Sequence, residues 1–224
     1  MSNPAAQVSP GKATLQHSLR LGAFALGTAA LLVFADNLTK AQIDLHRLEF
    51  EQQLLIQVLP ASLHDNDLTA NSFRLGPDSR AYRQPELLGL STTRTGYLAT
   101  MKGMPAGVIL PFETEGYGGA IVLVIGIATD GSITGVRVLQ HGETPGLGGQ
   151  IDISESQWIT GFNQHSLTDT PESKWQVKGD GGNFDQFVGA TITPRAVVAA
   201  VHNALLFFEA NKNVLLAAGS KKEP

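Results

Sequence analysis

The chain contains no cysteine among its 224 residues. It can form no disulfide and offers no thiolate to zinc or to an iron–sulfur cluster. Charged residues make up only 16% of the sequence, and 16 basic against 20 acidic residues leave a formal net charge of −4. No stripe of Lys and Arg is present of the kind a nucleic-acid footprint requires, so no nucleic-acid partner is expected. Histidine is sparse as well. The six histidines lack metal-ligand spacing such as H-E-x-x-H, and neither a P-loop nor a serine or cysteine nucleophile signature occurs. No metal site and no catalytic constellation are therefore expected. Any redox chemistry must belong to a bound organic cofactor or to a partner chain.

Apolar residues are plentiful, at 42%, enough for one substantial core with appendages rather than two equal domains. The longest uncharged stretch is Leu21 to Ala35, 15 residues between Arg20 and Asp36, extended on one side by Leu15 to Leu19. A membrane-spanning helix needs about 20 such residues and a signal-peptide core about 7 to 15, so both readings pass on length. Val33-Phe-Ala35 could serve as a cleavage site. The segment that follows favours retention: Ile43, Leu48, Leu54, Leu55, Val58 and Leu59 recur at roughly helical spacing before Pro60, as in an amphipathic stalk. We expect a tail over 1–18, a membrane helix over 19–36 and a stalk helix over 37–59. Lys12 and Arg20 precede the apolar run and place the N-terminus in the cytoplasm.

Residues 60–112 read as a linker and accessory strands. Short apolar runs bounded by Gly and Pro at Glu86–Leu90, Gly96–Thr100 and Gly107–Leu110 are candidate strands. Ala120–Ala128, then Asp130-Gly131, then Ile133–Leu139 predicts a hairpin, since Asp-Gly suits positive φ angles in a tight turn. The first of its strands is apolar throughout, as if buried on both faces. A helix is expected over Glu155–Phe162 with Ser154 as cap, and Trp158 and Phe162, four apart, should pack the core. Another should begin with Thr193 as N-cap and Pro194 as its first residue. The sum is an α+β domain with a mixed sheet behind one N-terminal transmembrane helix. Its core should cover 113–211, with a C-terminal tail over 212–224.

The densest chemistry lies in Asp185-Gln-Phe-Val-Gly-Ala-Thr191-Ile-Thr-Pro194. Thr191 stands at the start of an apolar helix, where free N–H groups and the helix dipole favour an anion, and Gly189 and Ala190 let a bulky group approach the backbone. Upstream, His141-Gly-Glu-Thr-Pro-Gly-Leu-Gly148 is a glycine-rich loop whose usable side chains are Glu143, Thr144 and Leu147. Gly116-Tyr-Gly-Gly119 precedes a strand.

These motifs, in this order, resemble the G subunit of the Rnf (Rsx) electron-transport complex. The C subunit of the sodium-translocating NADH:quinone oxidoreductase is a usually longer relative and the alternative assignment. A flavin-free, membrane-tethered assembly subunit is a further alternative. Two departures are visible, Val188 and Pro194 where that family usually or often has serine. The resemblance implies FMN joined covalently to Thr191 through a phosphoester. It implies a flavin-contacting loop of Glu143, Thr144, Leu147 and Gly148, with Lys178 near the phosphate and Gly189 and Ala190 beside the attachment point. Asp185, six residues before Thr191, would belong to the sequence read by a flavin transferase. The implied partners are that transferase and other membrane subunits of the complex. The implied setting is the inner membrane, with the flavin domain in the periplasm and the chain an electron-transfer subunit without complete activity alone.

Overall fold

The computed structural model describes residues 10–217. It divides into two compact units that part between Phe50 and Glu51. The first is built on helix α1 (Pro10–Val58). Proline is tolerated in a first turn and cannot continue a helix, so Pro10 opens α1 and Pro60 stands just beyond its end. No breaker intervenes, and the helices expected separately over 19–36 and 37–59 form one element. Leu19, Phe24 and Leu26 are each more than 70% exposed. An uncovered helix that is apolar all round needs a non-aqueous surrounding. The window His17–Phe34, with mean hydropathy 1.4, is long and apolar enough to cross a membrane. Of the amphipathic set, the side chains of Ile43 and Leu48 lie outside the described residues, whereas Leu54, Leu55, Val58 and Leu59 are buried.

The second unit is a five-stranded sheet in sequence order: β1 (Ser72–Leu75), β2 (Arg94–Met101), β3 (Met104–Glu115), β4 (Ala120–Ala128) and β5 (Ile133–Gln140). Every pairing is antiparallel. This corrects the expected mixed sheet, and short connections between consecutive strands are the reason: a parallel neighbour needs a long crossover. The hairpin between β4 and β5 forms as expected, but only Gly131 takes a positive φ. Asp130 instead turns its carboxylate onto the N–H and hydroxyl of Ser132.

Helix α2 (Ile192–Ala217) covers one face of the sheet, with Val197, Val201, Leu205, Phe207 and Phe208 in the main core beside Leu110, Phe112 and Leu123. On the other face Leu55, Val58 and Leu59 meet Ile109 and Val124. β4 is therefore buried on both faces, which its unbroken apolar run implied. α2 runs on to Ala217, so the C-terminal tail expected from 212 begins as helix.

Two predicted elements differ. Residues 86–90 form no strand but part of a 3-10 turn, Pro85–Leu88, flanked by Gln84 and Gly89 at positive φ. Gly89 lies too close to the Glu113 carbonyl for any side chain to fit. The helix expected over 155–162 is a 3-10 segment, Trp158–Phe162. Asp152 takes the Ser154 N–H and thereby turns the preceding backbone away from a helix. Trp158 and Phe162 still pack together, edge to face at 5.3 Å.

Candidate functional site

α2 begins at Ile192, one residue after Thr191. Thr193, expected as the cap, sits inside the first turn and is fully buried. Its hydroxyl is drawn across to Glu143 Oε2 at 2.6 Å instead of capping its own helix. Thr191 takes the capping position, is exposed, and its hydroxyl has no partner among the described residues. Pro194 contributes no N–H, while those of Ile192 and Thr193 lack intrahelical acceptors, as in any first turn. The result is a free hydroxyl beside donors and the positive end of a 26-residue helix.

Thr191 lines a cleft of about 330 Å³ with Tyr117, Glu143, Thr144, Leu147, Gly148, Gly189, Ala190 and Ile192. All of the residues expected at the cofactor except Lys178 meet here. The glycine-rich loop thus reaches the helix start, although 50 residues separate Glu143 from Thr193.

Glu143 is the hinge of the arrangement. It is 6% exposed. Its Oε1 accepts the Gly118 N–H at 2.8 Å, and Oε2 accepts the Thr193 hydroxyl. A Cβ at Gly116 or Gly148 would collide with this carboxylate, and one at Gly118 would strike the Gly142 carbonyl. Glycine in both motifs is therefore dictated by how closely three segments approach one another. His141 accepts the Glu143 N–H through Nδ1 at 3.2 Å, so it orients the loop backbone.

Lys178 and Asp185 lie outside the cleft lining. Both are exposed and pair with each other at 2.6 Å. The backbone oxygen of Asp185 accepts the Trp158 indole N–H. Arg195, in the first turn of α2, holds Asp180 through two hydrogen bonds of 2.6 and 2.8 Å. The Arg195 bonds keep the Asp180 carboxyl below its usual range. His202 stacks on Trp175 at 5.4 Å, and burial pushes its imidazole below its ordinary value against the weaker pull of Glu172.

The sequence singled out the Gly116–Gly119 motif but gave Tyr117 no role, and Ile192 and Thr193 entered only as helix residues. Nothing in a single chain marks Thr193 as a partner for Glu143. An aromatic residue set among the glycines of the Gly116–Gly119 motif, and an apolar residue directly after Thr191, were the signals that could have drawn attention to Tyr117 and Ile192.

A free threonine hydroxyl at a helix start, opening onto a cleft with apolar walls and a glycine-rich floor, suits a phosphate carrying a large flat ring. The class is that of FMN-binding domains: the family model described as the FMN-binding domain matches residues 116–206. The RnfG N-terminal region matches residues 1–58. A protein of Pseudomonas aeruginosa, named as the G subunit of an ion-translocating oxidoreductase complex, is 42% identical over 92% of this chain and 94% of its own length. A namesake from Cereibacter sphaeroides is 44% identical over 91% of this chain and 88% of its own. The chain belongs to this family of G subunits. The solved structure of Shewanella oneidensis NqrC is similar at 21% identity and a TM-score of 0.41, over 72% of this chain and 74% of that one.

Proposed function

We propose that this chain is the membrane-anchored flavin carrier of an ion-translocating electron-transport complex of the Rnf type, with FMN esterified through its phosphate to Thr191. The observation that carries the reading is the exposed Thr191 hydroxyl at the α2 N-terminus, without a partner among the described residues, on the wall of the cleft. The Ile192 and Thr193 N–H groups would hold the phosphate oxygens. Leu147, Ala190 and Ile192 would supply an apolar wall, Thr144 a hydroxyl for polar edges, and Gly148 and Gly189 a close backbone approach. When bound, the flavin supplies the electron-accepting and electron-donating group that a chain without cysteine lacks. The protein's part is to fix that group in place and set its surroundings. An ester also prevents loss by dilution, to which a reversibly held cofactor is subject.

Asp185 would belong to the sequence seen by a flavin transferase, while Lys178, expected near the phosphate, is held by Asp185 at 2.6 Å outside the lining of the cleft. The other membrane subunits of the complex are the partners. Arg20 ahead of the apolar stretch favours a cytoplasmic N-terminus, which sets the flavin domain in the periplasm of a cell whose inner membrane α1 spans once.

The test is full-length chain co-expressed with a flavin transferase and run on a denaturing gel. Thr191→Val should abolish the fluorescent band and change stability by no more than about 0.5 kcal/mol, since an exposed hydroxyl is exchanged for a methyl. A band that persists in Thr191→Val contradicts the assignment.

A further inference from the structure

We propose that Tyr117 forms an aromatic face for the isoalloxazine ring at the mouth of the cleft, and that Glu143 is the positioning residue that holds it there. This rests on reading the cleft as the flavin site. Two of the three tyrosines, Tyr82 and Tyr97, pack against the cores. Tyr117 does not. It is 80% exposed, yet it lines the cleft. A large ring left in water on a turn forgoes the burial that such side chains normally gain. Leu147 and Ile192, also on the cleft, are 43% and 51% exposed. Together they give one aromatic and one aliphatic surface, both wet, beside the attachment point. A flat ring system lying between them would take this area out of water.

A turn of three glycines and a tyrosine would ordinarily hold its side chain loosely. This one is pinned. Its ends close through the Gly116 N–H to the Gly119 carbonyl at 2.9 Å. Its centre is held by the Gly118 N–H on Glu143 Oε1, and Gly118 packs directly on the Gly142 backbone. The other oxygen of the same carboxylate holds Thr193, two residues beyond Thr191. One buried group thus fixes both the turn that bears Tyr117 and the first turn of the helix that bears the attachment point.

The experiment uses full-length chain loaded by a flavin transferase, with intact mass to verify loading and the fluorescence lifetime of the attached flavin as readout. A phenol in contact with an excited flavin donates an electron to it and takes it back, which shortens the lifetime. A phenyl ring does not, and an indole does. Tyr117→Phe should lengthen the lifetime several-fold at unchanged loading, and Tyr117→Trp should keep it short. Glu143→Ala should lengthen it too, with Glu143→Gln closer to wild type, because the amide can still accept from Gly118 and reach the Thr193 oxygen. Among the described residues, no other tyrosine or tryptophan lines the cleft. Equal lifetimes in wild type and Tyr117→Phe would overturn the inference alone. A wild-type chain that gains no mass at Thr191 would overturn the site reading and the inference with it.

Discussion

Glu113 and Glu143 are both almost out of water, at 7% and 6% exposure, but their surroundings differ. Glu143 meets two neutral donors. Glu113 meets the Ser91 N–H and hydroxyl and the Arg94 guanidinium at 2.5 Å. Burial raises the Glu113 carboxyl, and those bonds together with the Arg94 charge outweigh it, leaving the group below the usual glutamate range. A folded-state value below the unfolded one means that the stabilisation is present above the unfolded value and is lost as pH falls through the folded one. Urea midpoints should therefore drop as pH falls below about 4.3, the ordinary glutamate value, and Glu113→Gln should flatten that acid limb. Near pH 7 the same variant should cost about 1–3 kcal/mol, since Arg94 and Ser91 lose a charged partner. An unchanged acid limb in Glu113→Gln would show that other groups govern it. At this scale the sequence was legible where partners are neighbours in the chain, as with Thr191, Gly189 and Ala190 ahead of a helix. It was illegible where they are 25 or 50 residues apart, as with Gly118, Thr193 and their shared Glu143.

Among elements, the end of α1 meets the sheet where two glycines face each other across β4 and β5. Gly126 and Gly135 are register partners. A Cβ on Gly126 would lie 2.5 Å from the Val58 carbonyl, and one on Gly135 would lie 2.9 Å from Val58 Cα. Thr134 completes the seat by donating its hydroxyl to that carbonyl at 2.6 Å. Gly126→Ala should destabilise the domain by about 1–3 kcal/mol through overpacking. Gly161→Ala, which meets nothing within 4 Å, should change it by no more than about 0.5 kcal/mol. Chemical denaturation of the two variants side by side checks this, and equal costs would remove the seat from the account. The long strands were readable because their apolar runs were long and bounded by turns. The runs at 86–90 and 155–162 misled because short apolar stretches carry no period of their own. There Gly89 against the Glu113 carbonyl and Asp152 on the Ser154 N–H decided the backbone.

For the molecule as a whole, the absence of cysteine is an experimental advantage, since one introduced thiol is a unique reporter. In intact spheroplasts a membrane-impermeant maleimide should label Asn213→Cys, exposed near the end of α2, and should leave Ala6→Cys unlabelled until the membrane is broken. The reverse pattern would invert the orientation, and labelling of both would argue against a spanning helix. The apolar run Leu21–Ala35 was legible as either a span or a signal-peptide core, whereas the continuity of its helix through to Val58 was not, because the charged residues after Asp36 read as a boundary. On the proposed reading, the antiparallel sheet and α2 would serve one requirement, a flavin that stays with the chain. The most direct measurement is the intact mass of full-length chain matured with a flavin transferase, followed by peptide mapping. The account predicts an increase of one FMN less one water, confined to the peptide carrying Thr191. An unmodified chain, or flavin on another residue, would contradict it.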